Sequence, residues 1–380
     1  MTTQHTPQGV RLARGFTLVE LLVGMALALI TTVIIAQVVV NSEGQRRTTS
    51  SGSDAQVNGS IGLYTLAREV QGAGYGIISH SAALGCPISA KYGSANALSL
   101  TLAPATITVN TSGVPTLRTF SSGRTSFAVP MVVKANHAST ANFFTVNSST
   151  GTANGDVMMA IPSTWSSTNW CTIFQVAGSG TNVLSSTNVP NEQPSGDSWN
   201  PASASTLMPT TGYPADTSYL VNLGAIVMRE YTLSSENLVM RELQPTGAWG
   251  GDQMLASGIV AMRMLYGKDT STPKDGVVDQ FDTTSPTTAD GWSRVLAVRV
   301  ALVARSETRE KEEVTQLDPV WDVGTATTVS GTAACSTGSS RKCLTLTLPK
   351  ASTTDTEWKH YRYKVYDTVV PLRNVLWSAV

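Results

Sequence analysis

Charge is scarce in this chain. Asp, Glu, Lys and Arg make 14% of its 380 residues, and 26 basic residues balance 26 acidic ones. No run of Lys or Arg forms a basic patch and no nucleic-acid-binding motif occurs, so nucleic acid is not expected as a partner. Histidine is rarer still, with His5, His80, His137 and His360 scattered along the chain. No H-E-x-x-H, G-x-S-x-G, Walker loop or dinucleotide fingerprint is present. Nothing therefore marks catalytic machinery, and no enzyme activity is expected. The four cysteines, Cys86, Cys171, Cys335 and Cys343, form no C-x-x-C pair and fit no common zinc spacing. No acidic residue precedes Glu20, whereas Arg11 and Arg14 do.

What is present begins at that boundary. From Phe16 to Val40 the chain is apolar for 25 residues, with Glu20 as the one charge. As a helix this run spans about 37 Å at 1.5 Å per residue, against a hydrocarbon core of roughly 30 Å. A carboxylate inside such a run is costly in lipid unless it finds a partner. A general secretory signal fits poorly, because its apolar region covers about 7–15 residues and ends at a small-residue cleavage site. Here Gly15 stands before the apolar run, so a cut after it leaves the run on the mature chain.

The segment G-F-T-L-V-E, residues 15–20, between a basic leader and a membrane-length run, resembles the type III signal of type IV prepilins and pseudopilins. The resemblance implies that a prepilin peptidase cuts after Gly15 and that Phe16 becomes the methylated N-terminus. It also implies that Glu20 pairs with the N-terminal amine of a neighbouring subunit. Three C-terminal segments extend the likeness: L-Y-G-K-D at 265–269, W-S-R-V-L-A-V-R-V-A-L-V-A-R-S at 292–306, and Y-R-Y-K-V-Y-D-T-V-V-P-L-R-N at 361–374. These look like the PilW family of minor pilins, which is broadly similar to the type II secretion pseudopilin called J. Residues 80–215 match no family, and a lineage-specific role is expected there.

The expected fold is α+β, with a long N-terminal helix and a β-rich, mainly antiparallel head of pilin type. Residues 1–15 are the leader, 16–76 the transmembrane and filament-core helix, and 77–380 the head. The helix is expected from Phe16 to about Gln71, loosened near 44–53 and ended by G-A-G-Y-G at 72–76. Ile61 and Tyr64, with Leu63, Leu66, Ala67 and Val70, repeat at spacings of three and four. Strands are expected at 98–109, 127–134, 143–146, 157–161, 171–176, 219–231, 238–243, 254–266, 295–304, 344–348 and 361–370. The run at 254–266 also allows a helical start. Alternation such as R-V-L-A-V-R-V-A-L-V-A-R at 294–305 argues for an antiparallel sheet with one face covered. The segment 177–216, with Pro190, Pro194, Pro201, Pro209 and Pro214, reads as a surface excursion.

Four cysteines permit three full pairings. In an oxidising periplasm they are expected to pair. The polar stretch around Cys335 and Cys343 reads as a hairpin loop, which favours Cys335–Cys343 together with Cys86–Cys171; buried free thiols are the alternative. A second cluster, Asp269, Asp275, Asp279 and Asp282, lies in one loop. PilW-like sequences carry an aspartate-rich, calcium-loop-like stretch here, and oxygen ligands at such spacing suit Ca²⁺. This copy departs from that pattern at Pro273 and Lys274. A solvated hairpin turn on Asp275-Gly276, without metal or cofactor, is the other reading.

Arg11 and Arg14 before the run and Arg46 and Arg47 after it leave the positive-inside rule near a tie. The resemblance puts the leader in the cytoplasm and the head in the periplasm, with one pass through the bacterial inner membrane before transfer to a pilus at the cell surface. Removing Arg11 and Arg14 leaves 24 basic against 26 acidic residues, a net charge of −2. The expected function is that of a minor pilin that primes pilus assembly at or near the tip. Its implied partners are prepilin peptidase, inner-membrane lipid, other minor pilins and the major pilin. The rivals are a type II secretion pseudopilin, a pilus-tip adhesin using residues 80–215, and an anchored periplasmic enzyme.

Overall fold

The computed structural model describes residues 15, 17–77, 81–95, 97–111, 113–124, 129–193, 198–200, 207–352 and 354–378. Residues 1–14 with His5, Phe16, His80 and the start of the 127–134 strand lie outside these residues. One helix, α1 (Leu18–Gly72), opens the chain and stays helical through 44–53. Within α1, between Gly52 and Ser53, the chain divides into two compact units.

The first unit carries the apolar part of α1. Every side chain described from Leu18 to Gly44 is exposed. The second unit is the β-rich head, and it takes in the rest of α1. There Ala55, Gly59, Gly62, Leu66, Val70 and Ala73 are buried at spacings of four, three, four, four and three, which is one helical stripe. Glycine at position 62 sets how close the helix lies, since a Cβ there would stand 3.3 Å from Leu238 and 3.4 Å from Leu302. Ile61 and Tyr64 point the other way and are 48% and 69% exposed. The apolar periodicity read from sequence therefore contained two faces, and only the one rich in small residues meets the sheets.

Three larger sheets build the head. A four-stranded antiparallel sheet runs Gln280–Asp282, Ile259–Lys268, Val295–Arg305, Tyr363–Pro371. A five-stranded antiparallel sheet runs Gln253–Ser257, Asn237–Glu242, Ile226–Ser234, Pro115–Ser122, Ala105–Val109. A six-stranded sheet runs Leu98–Thr101, Pro87–Ala90, Cys171–Gln175, Val157–Ile161, Tyr219–Gly224, Met131–Val132, with one parallel pair that sets Ile88 beside Cys171. Two small antiparallel ribbons complete it, Val320–Gly324 with Lys342–Thr345 and Thr332–Ala334, and Phe143–Thr145 with Asn188–Pro190.

Three of the runs expected as single strands change sheets midway. The 219–231 run breaks at Gly224 and the 254–266 run at Gly258, both at positive φ that a side chain with a Cβ resists. The start of the second run is strand, not helix. The 98–109 run divides at Ala103-Pro104, because proline removes a ladder donor.

Strands Val157–Ile161 and Val295–Arg305 are buried on both faces, which corrects the expectation of a sheet with one face covered. Along Val157–Ile161, Val157, Met159 and Ile161 join the main core with Leu66 and Val70 of α1, while Met158 and Ala160 turn into a second core. Ala301 and Val303 enter a third, with Trp321 and Leu346. The second core corrects the reading of 177–216 as a surface excursion. Val189, Met208 and Tyr213 from that segment are buried in it, and Asn188–Pro190 is a strand. Pro190 ends its strand without keeping Val189 in water.

His137 lies in this second core, 3% exposed and stacked on Phe144 with ring centroids 3.5 Å apart. Among the described residues, neither ring nitrogen meets a partner at hydrogen-bonding geometry. Burial pushes its imidazole down to about 4, with the neighbouring Asn191 side chain offsetting only part of that. Between pH about 6.5 and about 4 the unfolded chain therefore takes up a proton that the folded chain refuses. The His137 contribution is complete above that window and is lost as pH falls through it, at a cost of about 3 kcal/mol. Melting temperature measured from pH 7 to pH 4 is expected to fall less steeply in His137→Phe than in wild type; parallel slopes would contradict this.

Candidate functional site

The apolar half of α1 starts with a capping box. Thr17 Oγ1 accepts from the Glu20 backbone N–H at 3.2 Å, and Glu20 Oε2 accepts from the Thr17 N–H at 3.0 Å and from its hydroxyl at 3.0 Å. Two of the otherwise orphaned amides of the first turn are satisfied reciprocally. Thr17 was not singled out in the sequence, although T-x-x-E before an apolar run is a known helix-start signature. Glu20 thus has a role within its own chain as well as any role toward a neighbour. Gly15 lies just before this cap, and Phe16 is outside the described residues.

From Leu18 to Gly44 the helix is long and apolar enough to cross a bilayer. The two hydroxyls in mid-run do not disturb this. Thr31 donates to the Leu27 carbonyl and Thr32 to the Ala28 carbonyl, four residues back, so neither needs water.

Cys86 and Cys171 form a disulfide with Cα atoms 6.0 Å apart, and Cys335 and Cys343 form a second with Cα atoms 4.9 Å apart. The second closes the expected hairpin loop, where Ala333 pairs with Cys343 and the Cys335 N–H meets the Arg341 carbonyl. Oxidised sulfur leaves no thiolate, so the grouping of these two cysteines with Asp322 is not a metal site.

The aspartate loop joins strand Ile259–Lys268 to strand Gln280–Asp282. It brings carboxylate oxygens of Asp269, Asp275 and Asp279 within 4.8 Å of one another. Asp282 stands apart and pairs with Lys268 at 2.6 Å. Lys274 turns its ammonium to Asp290 at 2.8 Å. Backbone amides occupy the clustered carboxylates. Buried Asp269 accepts from the N–H groups of Ser271, Asp275 and Gly276 at 2.9–3.0 Å. Asp279 Oδ2 accepts from the N–H groups of Thr270 and Ser271 at 2.7 and 3.1 Å and from both hydroxyls. The Thr270 amide leads the causes that hold the Asp279 carboxyl below the usual carboxylate range. Asp275 Oδ1 accepts from the Val277 N–H, an Asx turn at Asp275-Gly276. This donor set fits a loop closed by its own amides better than a cation cage, which needs oxygens turned toward a shared centre.

Millimolar calcium is accordingly expected to leave the melting temperature unchanged. A ligand bound only to the folded state at 100 times its Kd would add about 2.7 kcal/mol. A calcium-dependent rise that disappears in Asp275→Ala/Asp279→Ala would show instead that the cluster binds the ion.

Residues 10–36 match the family model described as the prokaryotic N-terminal methylation motif. Residues 226–374 match that of type IV pilus-assembly protein W. No curated protein and no solved structure matches the chain. The methylation motif falls on the capped start of the apolar helix, and the second match falls on the sheets that follow Gly224. The two matches, with the apolar helix and the β-rich head, support a type IV pilus-related pilin. Within that class the chain is PilW-like, by a match that covers the C-terminal part of the head. The six-stranded sheet and the second core lie wholly outside both matches.

Proposed function

We propose that this chain is a minor pilin, cut after Gly15 by prepilin peptidase, methylated at Phe16 and then incorporated into a type IV pilus. Before incorporation it sits in the bacterial inner membrane, leader in the cytoplasm and head in the periplasm. In the filament it joins other minor pilins and the major pilin, and it helps to start assembly at or near the tip. The mechanism is assembly, not catalysis. The observation that carries this reading is the methylation-motif match on a capped helix whose Leu18–Gly44 stretch is long and apolar enough to cross a bilayer.

Such a helix is at home in lipid and can also pack against identical neighbours, so it moves between the two without exposing apolar surface to water. Glu20 supplies the register. A carboxylate in an apolar bundle is costly alone, and an amine at a neighbour's N-terminus relieves that cost. Deleting the gene is expected to remove or sharply reduce surface pili while leaving type II secretion intact. Intact piliation with lost secretion would make the chain a pseudopilin. Intact pili with lost attachment would make it an adhesin.

A further inference from the structure

Arg263 lies half-buried on strand Ile259–Lys268. Ten other arginines of the head, from Arg118 to Arg362, each stand at salt-bridge distance from a carboxylate. Arg68 and Arg373 are exposed at the surface. Arg263 is neither exposed nor, among the described residues, paired with any acid. Burial alone pulls its guanidinium below the usual arginine range, with no acidic neighbour to oppose it.

The side chain is nevertheless held in place. Its Nη1 donates to the carbonyls of Gly113 and Met262 at 3.3 and 3.1 Å. Nε and Nη2 have no partner among the described residues. These two groups form the edge of the guanidinium fork that accepts a carboxylate through two parallel hydrogen bonds. Arg263 lines a cavity of about 370 Å³ and is its only charged lining residue among those described. Val114, Pro115, Leu233, Leu348 and Pro349 are among its apolar walls.

A fixed cation without a counter-charge in an apolar groove is half of an ion pair. We propose that this groove docks an acidic side chain, Asp or Glu, flanked by apolar residues on a neighbouring polypeptide, with Arg263 as its bidentate anchor. Charge complementarity selects the acid, and the walls select its flanks. One cation between apolar walls does not fit a polyanion, whose successive charges call for several Lys or Arg. The proposal stands whether or not the chain enters a pilus; within a pilus the partner would be an adjacent subunit.

The test uses end-blocked nonapeptide libraries with Glu fixed at the centre and Ala, Val, Leu or Pro at the other positions. A second library has Gln at the centre. Both are passed over immobilised full-length chain in detergent micelles. Wild type is expected to retain the Glu library about tenfold or more over the Gln library, as a charge-assisted bond requires. Arg263→Gln is expected to retain the two equally. Equal retention by wild type, or no retention of the Glu library, overturns the proposal, and so does a Glu preference that survives in Arg263→Gln. The wild-type comparison decides even where that variant fails to fold.

Discussion

Replacing Cys86 and Cys171 together by alanine is expected to lower the stability of the head by about 4–5 kcal/mol. The two residues are 85 apart in sequence, both are fully buried, and they tie strand Cys171–Gln175 to the turn before strand Pro87–Ala90. The bond therefore constrains a large part of the unfolded chain. Cys335 and Cys343 are 8 apart and close a hairpin that its own ladder already holds. Their replacement is expected to cost about 2–3 kcal/mol. Denaturant titration of the full chain in mild detergent measures both. A loss at Cys86/Cys171 no larger than that at Cys335/Cys343 would mean that loop length does not govern these staples. Peptide mapping under non-reducing conditions is expected to recover the same two pairs from periplasmic material.

Two substitutions at Glu20 are expected to separate its roles. Glu20→Gln keeps a side-chain oxygen that can accept from the Thr17 amide, so the capping box survives. It loses only the charge. Glu20→Val loses both. Each variant is expected to insert in the membrane as well as wild type, because a charge has been removed from an apolar helix. Each is expected to be nearly absent from sheared pili, because the neighbour's amine has lost its counter-charge. Assembly of Glu20→Gln at the wild-type level, with Glu20→Val excluded, would instead make the cap the residue's whole contribution.

The features that the sequence displays plainly are those set by a local pattern. The membrane-length helix, the Gly15 boundary, the strand Val295–Arg305 and the Cys335–Cys343 hairpin each follow from contiguous residues. The T-x-x-E cap at Thr17 and Glu20 is equally local. Other features depend on partners distant in sequence. Nothing in G-S-I-G-L-Y-T-L, residues 59–66, tells which of two apolar faces will pack. The choice falls to Gly59 and Gly62, where small residues admit Tyr366 and Leu302. The second core was hidden in a Pro- and Ser-rich stretch because the apolar residues it takes from there, Val189, Met208 and Tyr213, are separated by polar residues and form no local pattern. Arg263 was invisible for the same reason. An arginine draws notice only when the structure shows that ten others have found an acid and this one has not. The aspartate loop was legible as a cluster, but which groups its carboxylates face was not, since Thr270, Ser271 and Gly276 offer backbone amides that carry no residue signature.

Entry into a filament is expected to depend on processing at Gly15. The most direct test is mass spectrometry of the N-terminal peptide of the chain recovered from sheared pili. The expected peptide begins at Phe16 and carries one added methyl group, and a bulky replacement at Gly15 is expected to abolish it. Recovery of an intact leader from assembled pili, or of a chain cut beyond residue 30, would contradict the account.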